Sequence, residues 1–271
     1  MKSGRNRPIG IFDSGVGGLT VAKSVRRYLP NEDIIYFGDT ARVPYGNKSR
    51  STIIRFSREI MEFMMKKRVK MAVVACNTAS SLSLSVLKSH YPIPVVGVIN
   101  PGVKEAIAAT KSKRIGVIGT DSTISSGSYN KELKRLGRSY KLFSASCPLF
   151  VPLVENKFLN GEITEQVVRK YLKPLMKKNI DALILGCTHY PLLKGLIGRT
   201  MKGVKLVDSS TAVAKRVKEI LISKNMQSDR NKKRGKAVYY VSDDPKAFRK
   251  VAHIFLREKI DIKRVDLYNY A

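Results

Sequence analysis

Short apolar runs alternate along this chain with longer stretches in which apolar residues recur every third or fourth position. The short runs predict strands at Ile9–Phe12, Ile34–Phe37, Met71–Ala75, Val95–Val98, Ile115–Ile118, Lys141–Ser144, Ala182–Leu185, Lys205–Val207 and Ala237–Val241. Runs this short, bounded by turn residues, suit strands buried on both faces. The longer stretches predict helices, chief among them Arg50–Lys67, Glu162–Lys177 and Thr211–Ser223; in the first, Ile53, Ile54, Ile60, Met61, Met64 and Met65 form the apolar stripe. Strand–helix alternation of this kind predicts mainly parallel sheets with helices on both faces. Nine strands are many for one sheet, so the expected fold class is α/β with two similar lobes, each a mainly parallel sheet flanked by helices. The chain is expected to cross near "VINPGV" and to return near "VDSSTA". Residues 1–98 with 208–271 then form one lobe, and residues 99–207 the other. The stretch Asn225–Gly235 is polar and basic and predicts an exposed loop.

In open parallel sheets, ligands collect at the carboxyl ends of strands, where the following helix begins. Four segments fit that position: "IGIFDSGVGGLTV", "DTARVPYGNKS", "AVVACNTASS" and "ALILGCTHYPL". Backbone N–H groups at such turns, with hydroxyls and amides nearby, suit an anion such as a carboxylate. The glycine-rich turn is neither a dinucleotide fingerprint, because Thr20 stands where the last glycine belongs, nor a P-loop, because no Gly-Lys-Ser/Thr closes it. A tight strand–helix turn explains its glycines but not Asp13 and Ser14.

The last two segments share a grammar: an apolar run, a cysteine, then Thr within two residues. A cysteine at a helix start has its thiolate stabilised by the local dipole. One such cysteine would suggest a nucleophile. Two, Cys76 and Cys187, on similar strand ends of two similar lobes, suggest a pair of acid/base groups, one removing a proton from carbon while the other delivers one to the opposite face. That reading places the active site in the cleft between the lobes. Cys147 precedes a proline in "SASCPLFVPLVE" and lacks the helix-start context, so a structural role is expected. His189 stands two residues from Cys187, whereas His90 and His253 read as structural. Glu155 closes an apolar run, where an isolated carboxylate is less expected than on a solvated face.

Composition narrows the setting. The 271 residues carry 51 Lys+Arg against 21 Asp+Glu, a net charge of +30, and only three cysteines. Three thiols make no disulfide framework, and no CxxC or HExxH spacing supports a zinc site. No apolar run is long enough to span a bilayer and the basic N-terminus is followed by too short an apolar run for a signal peptide, so a cytoplasmic location is expected. The charge would attract polyanions, but it is scattered over the sequence and accompanies no nucleic-acid recognition motif.

Together "FDSGVGGLTV", "PYG" at Pro44–Gly46, "ACNTAS", "CPLFVPLVE" and "GCTHYP" resemble the bacterial glutamate racemases of the cofactor-independent Asp/Glu racemase superfamily, in order and spacing, from about Pro8 to the C-terminal helix. The resemblance implies interconversion of L- and D-glutamate without pyridoxal phosphate, metal or nucleotide, supplying D-glutamate for peptidoglycan. It implies Cys76 and Cys187 as the acid/base thiols, with Asp13 assisting Cys76 and both His189 and Glu155 assisting Cys187. Asp13, Ser14, Tyr45, Gly46, Asn77, Thr78, Thr188 and His189 would line the substrate site. It also implies a homodimer with no membrane association. Some members of the family inhibit DNA gyrase, so contact with nucleic acid or gyrase is a second expectation, supported in this sequence by the charge alone. An aspartate racemase is the nearest enzymatic alternative.

Overall fold

Buried apolar strands and their crossover helices build the whole molecule. The computed structural model describes residues 4–137, 139–229, 234–256 and 260–267. The first segment runs β1 (Ile9–Asp13), α1 (Leu19–Tyr28), β2 (Ile34–Gly38), α2 (Arg50–Lys66), β3 (Met71–Val74), α3 (Asn77–Leu82), α4 (Leu84–His90) and β4 (Val95–Gly97). The middle segment runs α5 (Ile99–Ala109), β5 (Arg114–Gly119), α6 (Asp121–Ser125), α7 (Ser128–Leu136), β6 (Lys141–Ser146), α8 (Phe150–Glu155), α9 (Glu162–Met176), β7 (Ala182–Gly186), α10 (Lys194–Thr200) and β8 (Lys205–Val207). The last segment adds α11 (Ser209–Ser223), β9 (Ala237–Val241), α12 (Pro245–Leu256) and β10 (Ile262–Arg264). Two compact units result, Met1–Val98 with Ser210–Ala271, and Ile99–Ser209.

In the first unit six parallel strands lie in the order β10-β9-β2-β1-β3-β4. In the second, four parallel strands lie in the order β6-β5-β7-β8. The two orders share a plan: β2-β1-β3-β4 and β6-β5-β7-β8 both place the first strand of the unit second and its third strand beside it. This common plan is the physical source of the two similar cysteine segments, since each follows the third strand of its unit.

The cores follow from the patterns that predict the elements. Helix α2 begins where the Ser49 hydroxyl accepts the Thr52 N–H at 3.2 Å, an N-cap that satisfies one of the free donors of the first turn. Its Ile53, Phe56, Ile60, Met61, Phe63 and Met64 are buried with Phe12, Phe37 and Val74 of the sheet; Ile54 and Met65 of the expected stripe are only half-buried. In the second unit Val168, Leu172 and Leu175 of α9 are buried, as are Leu183, Ile184 and Leu185 of β7.

A buried ion pair clips the amino-terminal end of the first sheet. Lys70 Nζ lies 2.5 Å from Glu32 Oε2, and both side chains are almost fully buried. The same ammonium donates to the carbonyls of Arg5 at 2.6 Å and Met226 at 2.8 Å, and Glu32 Oε1 accepts the Ser228 N–H at 2.8 Å. Every charge in the pair is thus used on backbone groups as well, which is what makes its burial tolerable.

The structure differs from the sequence expectations at element ends. β5 and β6 each run one or two residues further, β3 and β4 stop one earlier, and α11 starts at Ser209. β10 was not expected. Only Ile262 of its three residues is buried, while Lys263 and Arg264 are exposed at the sheet edge, so it lacks an apolar run. Residues 225–229 and 234–235 of the expected polar loop lie outside helix and strand, and 230–233 fall outside the described residues.

Candidate active site

β1 and β3 are neighbours in register, Phe12 against Val74, so the residues that follow them emerge side by side at the carboxyl end of the first sheet. Asp13 closes β1 and is fully buried. Its Oδ2 accepts the Gly15 N–H at 3.0 Å, which folds the Asp13–Gly15 turn back on itself. The turn is held from behind by Tyr36 on β2, whose hydroxyl donates to the Gly15 carbonyl at 2.8 Å. Burial, with Asp13 and Cys76 nearby, pushes the Tyr36 phenol well above its ordinary pKa, so it stays protonated as a donor. Close approach explains the glycines here. A Cβ on Gly18 would stand 2.5 Å from Asp13 Cβ, and one on Gly38 would stand 2.6 Å from the Gly15 carbonyl oxygen. At these two positions the glycines let the backbone pack closely around a buried carboxylate.

Cys76 is the N-cap of α3, and its Sγ accepts the Ala79 N–H at 3.5 Å. Its sulfur therefore replaces the hydroxyl that usually caps a helix, and the donated N–H favours the thiolate. Ser14, Asn77 and Thr78 are buried around these turns. Tyr45 and Gly46 begin a single 3-10 turn, Tyr45–Asn47, after β2. The Tyr45 hydroxyl donates to Asp39 Oδ2, and Arg42 Nε and the Ser242 hydroxyl donate to the same carboxylate at 2.7 and 2.8 Å. Burial raises the Asp39 pKa, with these partners pulling the other way. Asp39 was not singled out from the sequence. Its position directly after β2, beside a Tyr six residues on, is the available signal.

In the second unit the carboxyl end of β7 carries the other thiol. Here the expected helix start is corrected: Cys187 opens a turn that leads into a 3-10 helix, Tyr190–Leu193. Its bonds run i to i+3, from the Tyr190 N–H to the Cys187 carbonyl at 3.2 Å and from the Leu192 N–H to the His189 carbonyl at 3.1 Å. Pro191, which has no N–H to donate, sits in that first turn. The tight turn folds His189 back beside the cysteine, with Nδ1 at 3.9 Å from Cys187 Sγ. On the other edge of the ring, Nε2 lies 3.1 Å from Glu155 Oε1 at the end of α8. His189 is buried and the Glu155 side chain about one-third exposed, at 34%. With Nε2–H donating to Glu155, the ring presents Nδ1 to sulfur, as acceptor from the thiol or, once protonated, as donor to the thiolate.

Three further groups shape this end. Thr188 is buried next to Cys187. The Tyr190 hydroxyl donates to the Cys147 carbonyl at 2.9 Å, and burial pushes its pKa well up. Cys147 itself is fully buried, and burial, helped by Cys187 and Asp121, raises its thiol far above the ordinary range, so it remains protonated. Among the described residues, no cluster of three or more His, Cys, Asp and Glu side chains is placed to hold a metal ion. His90 ends α4 and His253 lies on α12. None of the described helices is long and apolar enough to cross a membrane.

The model of the Asp/Glu/Hydantoin racemase family matches residues 14–217. A glutamate racemase from Aquifex aeolicus is 49% identical over 255 residues, spanning 94% of this chain and 96% of the relative. The solved structure of glutamate racemase isoform RacE1 from Bacillus anthracis is 40% identical, with a TM-score of 0.94 over 97% of this chain and 98% of its own. That of the glutamate racemase from Francisella tularensis is also 40% identical, with a TM-score of 0.92 over 98% of this chain and 100% of its own. Matched over three quarters of its length by the family model and nearly half identical to a full-length relative, the chain belongs to the Asp/Glu/hydantoin racemase family, among its glutamate racemases.

Proposed function

We propose that the protein inverts the α-carbon of glutamate with two thiols. One cysteine, as thiolate, removes the α-proton and becomes a thiol; the other, as thiol, delivers a proton to the opposite face and becomes a thiolate. The carbon leaves with inverted configuration and no net change in protons. The observation that carries this reading is the pair of cysteines at equivalent strand ends, each with its own proton-handling neighbours. Cys76 has the Ala79 N–H and the adjacent Asp13 turn. Cys187 has His189, backed by Glu155.

The α-proton of an amino acid is far less acidic than a thiol, so the carbanion needs donors fixed in advance and shielded from water. Ser14, Asn77, Thr78 and Thr188 are buried at the two strand ends, and Tyr45 and Gly46 follow β2 in the same manner. These are the groups to which we assign substrate binding. Support for glutamate as substrate comes from the glutamate racemases at 40 to 49% identity, the Francisella enzyme having been solved in complex with D-glutamate. The product would supply peptidoglycan synthesis in the cytoplasm. Family membership supports a homodimer, which light scattering on the purified protein would check.

The test is racemisation of either enantiomer in heavy water, followed by optical rotation and α-deuterium, with aspartate as the control. The wild-type protein should exchange and invert glutamate. Cys76→Ala and Cys187→Ala should each abolish inversion while keeping the far-UV spectrum of the parent. More than a few per cent of residual inversion in either variant would overturn the two-thiol assignment.

A further inference from the structure

At the opposite end of the first sheet from Asp13 and Cys76, the amino ends of β1, β2 and β9 border a cavity of about 750 Å³. Ile34, Ile35 and Val238 give it apolar walls, and Arg7, Lys67, Arg68 and Lys236 surround it with positive charge. Asp33 is the one carboxylate in the lining, and its Oδ1 accepts the Lys236 N–H at 2.8 Å. The neighbouring carboxylate, Glu32, is committed to Lys70. None of the four cations has an ion-pair partner among the described residues.

The arrangement is also held in place. Lys67 Nζ stands 5.4 Å from the Phe63 ring centroid and 5.1 Å from that of Tyr240, which fixes the ammonium over two aromatic faces. The segment carrying Arg7 is pinned by the buried Lys70 through the Arg5 carbonyl. Four unpaired cations around an apolar hollow repel one another, and a polyanion would relieve that repulsion while releasing its own counterions. A row of phosphates can meet the cations, and the sugars between them can rest on the apolar wall. The net charge of +30 makes the approach of such a partner favourable from any direction, whereas the cavity gives it one place to settle.

We propose that this cavity is a docking site for the phosphodiester backbone of nucleic acid. The site lies about 16 Å along β1 from the Asp13 turn, at roughly 3.3 Å per residue, so occupancy leaves racemisation untouched. The test is fluorescence anisotropy with a labelled duplex DNA of about 20 base pairs, titrated over a range of salt concentrations. The variant R7Q/K67Q/R68Q/K236Q should lower the slope of log K against log salt by about 3 to 4 and weaken binding at least about tenfold. As a charge-matched control, K131Q/K170Q/K173Q/K177Q removes four exposed lysines from the second unit. It should change affinity far less. Racemase turnover and the far-UV spectrum check that both variants are folded. Should the quadruple variant misfold, Arg68→Gln alone should still lower the slope by about 1. Equal losses in variant and control, or no binding at low salt, would overturn the site. Competition by polyglutamate as strong as that by DNA, charge for charge, would overturn the assignment to phosphodiester.

Discussion

His189 touches both a thiol and a carboxylate, and its role depends on which ring nitrogen holds the proton. In the proposed two-thiol reaction, Glu155 on Nε2 leaves Nδ1 to exchange a proton with Cys187, and the carboxylate would stabilise the ring as an imidazolium. Glu155→Gln keeps the shape but not the charge, and its amide can donate to Nε2 and drive the proton to Nδ1. We expect kcat to fall about 10- to 100-fold, below the range seen when a general acid or base is removed outright, with KM within about threefold. Deuterium uptake from the two enantiomers of glutamate in heavy water should then change unequally, because only the Cys187 side is affected. Equal changes for both would place Glu155 in a purely structural role. That His189 stands beside Cys187 is legible in the chain, two residues apart. The resemblance names Glu155 beside the same thiol, but that it reaches the far side of the ring from 34 positions upstream is not legible, because it depends on where α8 ends. Tyr36 was equally hidden: on an apolar strand a tyrosine reads as core, and only the Gly15 carbonyl gives its hydroxyl a purpose.

Between elements, the joints are set by polar groups that periodicity does not reveal. Asp181 sits just before β7 and closes the turn after α5. It accepts the Lys111 and Ser112 N–H groups at 2.7 and 2.6 Å and the Thr110 hydroxyl. Burial opposes its charge, but these hydrogen bonds outweigh it and hold the carboxyl down at about 2. The folded value lies below the unfolded one of about 3.9. The stabilisation is therefore fully present above pH 4 and fades as pH falls towards 2. Asp181→Asn should lower the thermal midpoint at neutral pH, and the gap to the parent should close between about pH 4 and pH 2. A gap that stays constant over that range in calorimetry would show that the charge contributes nothing. Strands and main helices were readable because burial on both faces leaves an unbroken apolar run and one-sided burial leaves a helical stripe. The turn at Cys187 was misread as a helix start because Thr and His after a strand look like one, whereas Pro191 and the i to i+3 bonds tighten the chain into a 3-10 turn.

For the whole molecule, the second unit is one continuous stretch, and the first is assembled from two pieces that flank it. Residues 99–209 hold all four strands of their sheet and most of the buried side chains around them. Expressed alone, that stretch should unfold cooperatively on heating, as followed by circular dichroism. Residues 1–98 alone lack β9 and so expose the edge of β2, every residue of which is buried in the complete sheet. That fragment should aggregate or stay unfolded. A cooperative transition from it would show that the C-terminal strands are dispensable. The charge is a whole-molecule property too, and the sequence shows its size without showing that four unpaired cations meet at one end of the first sheet.

The late arrival of β9 has a consequence for biosynthesis. On the ribosome, β2 emerges early, and the strand that covers its edge is made only after the entire inserted unit. At about 5 to 20 residues per second, that edge waits on the order of 10 to 40 seconds. During this interval the edge of β2 stays open to mispairing, a hazard built into a sheet whose neighbouring strands are made nearly two hundred residues apart.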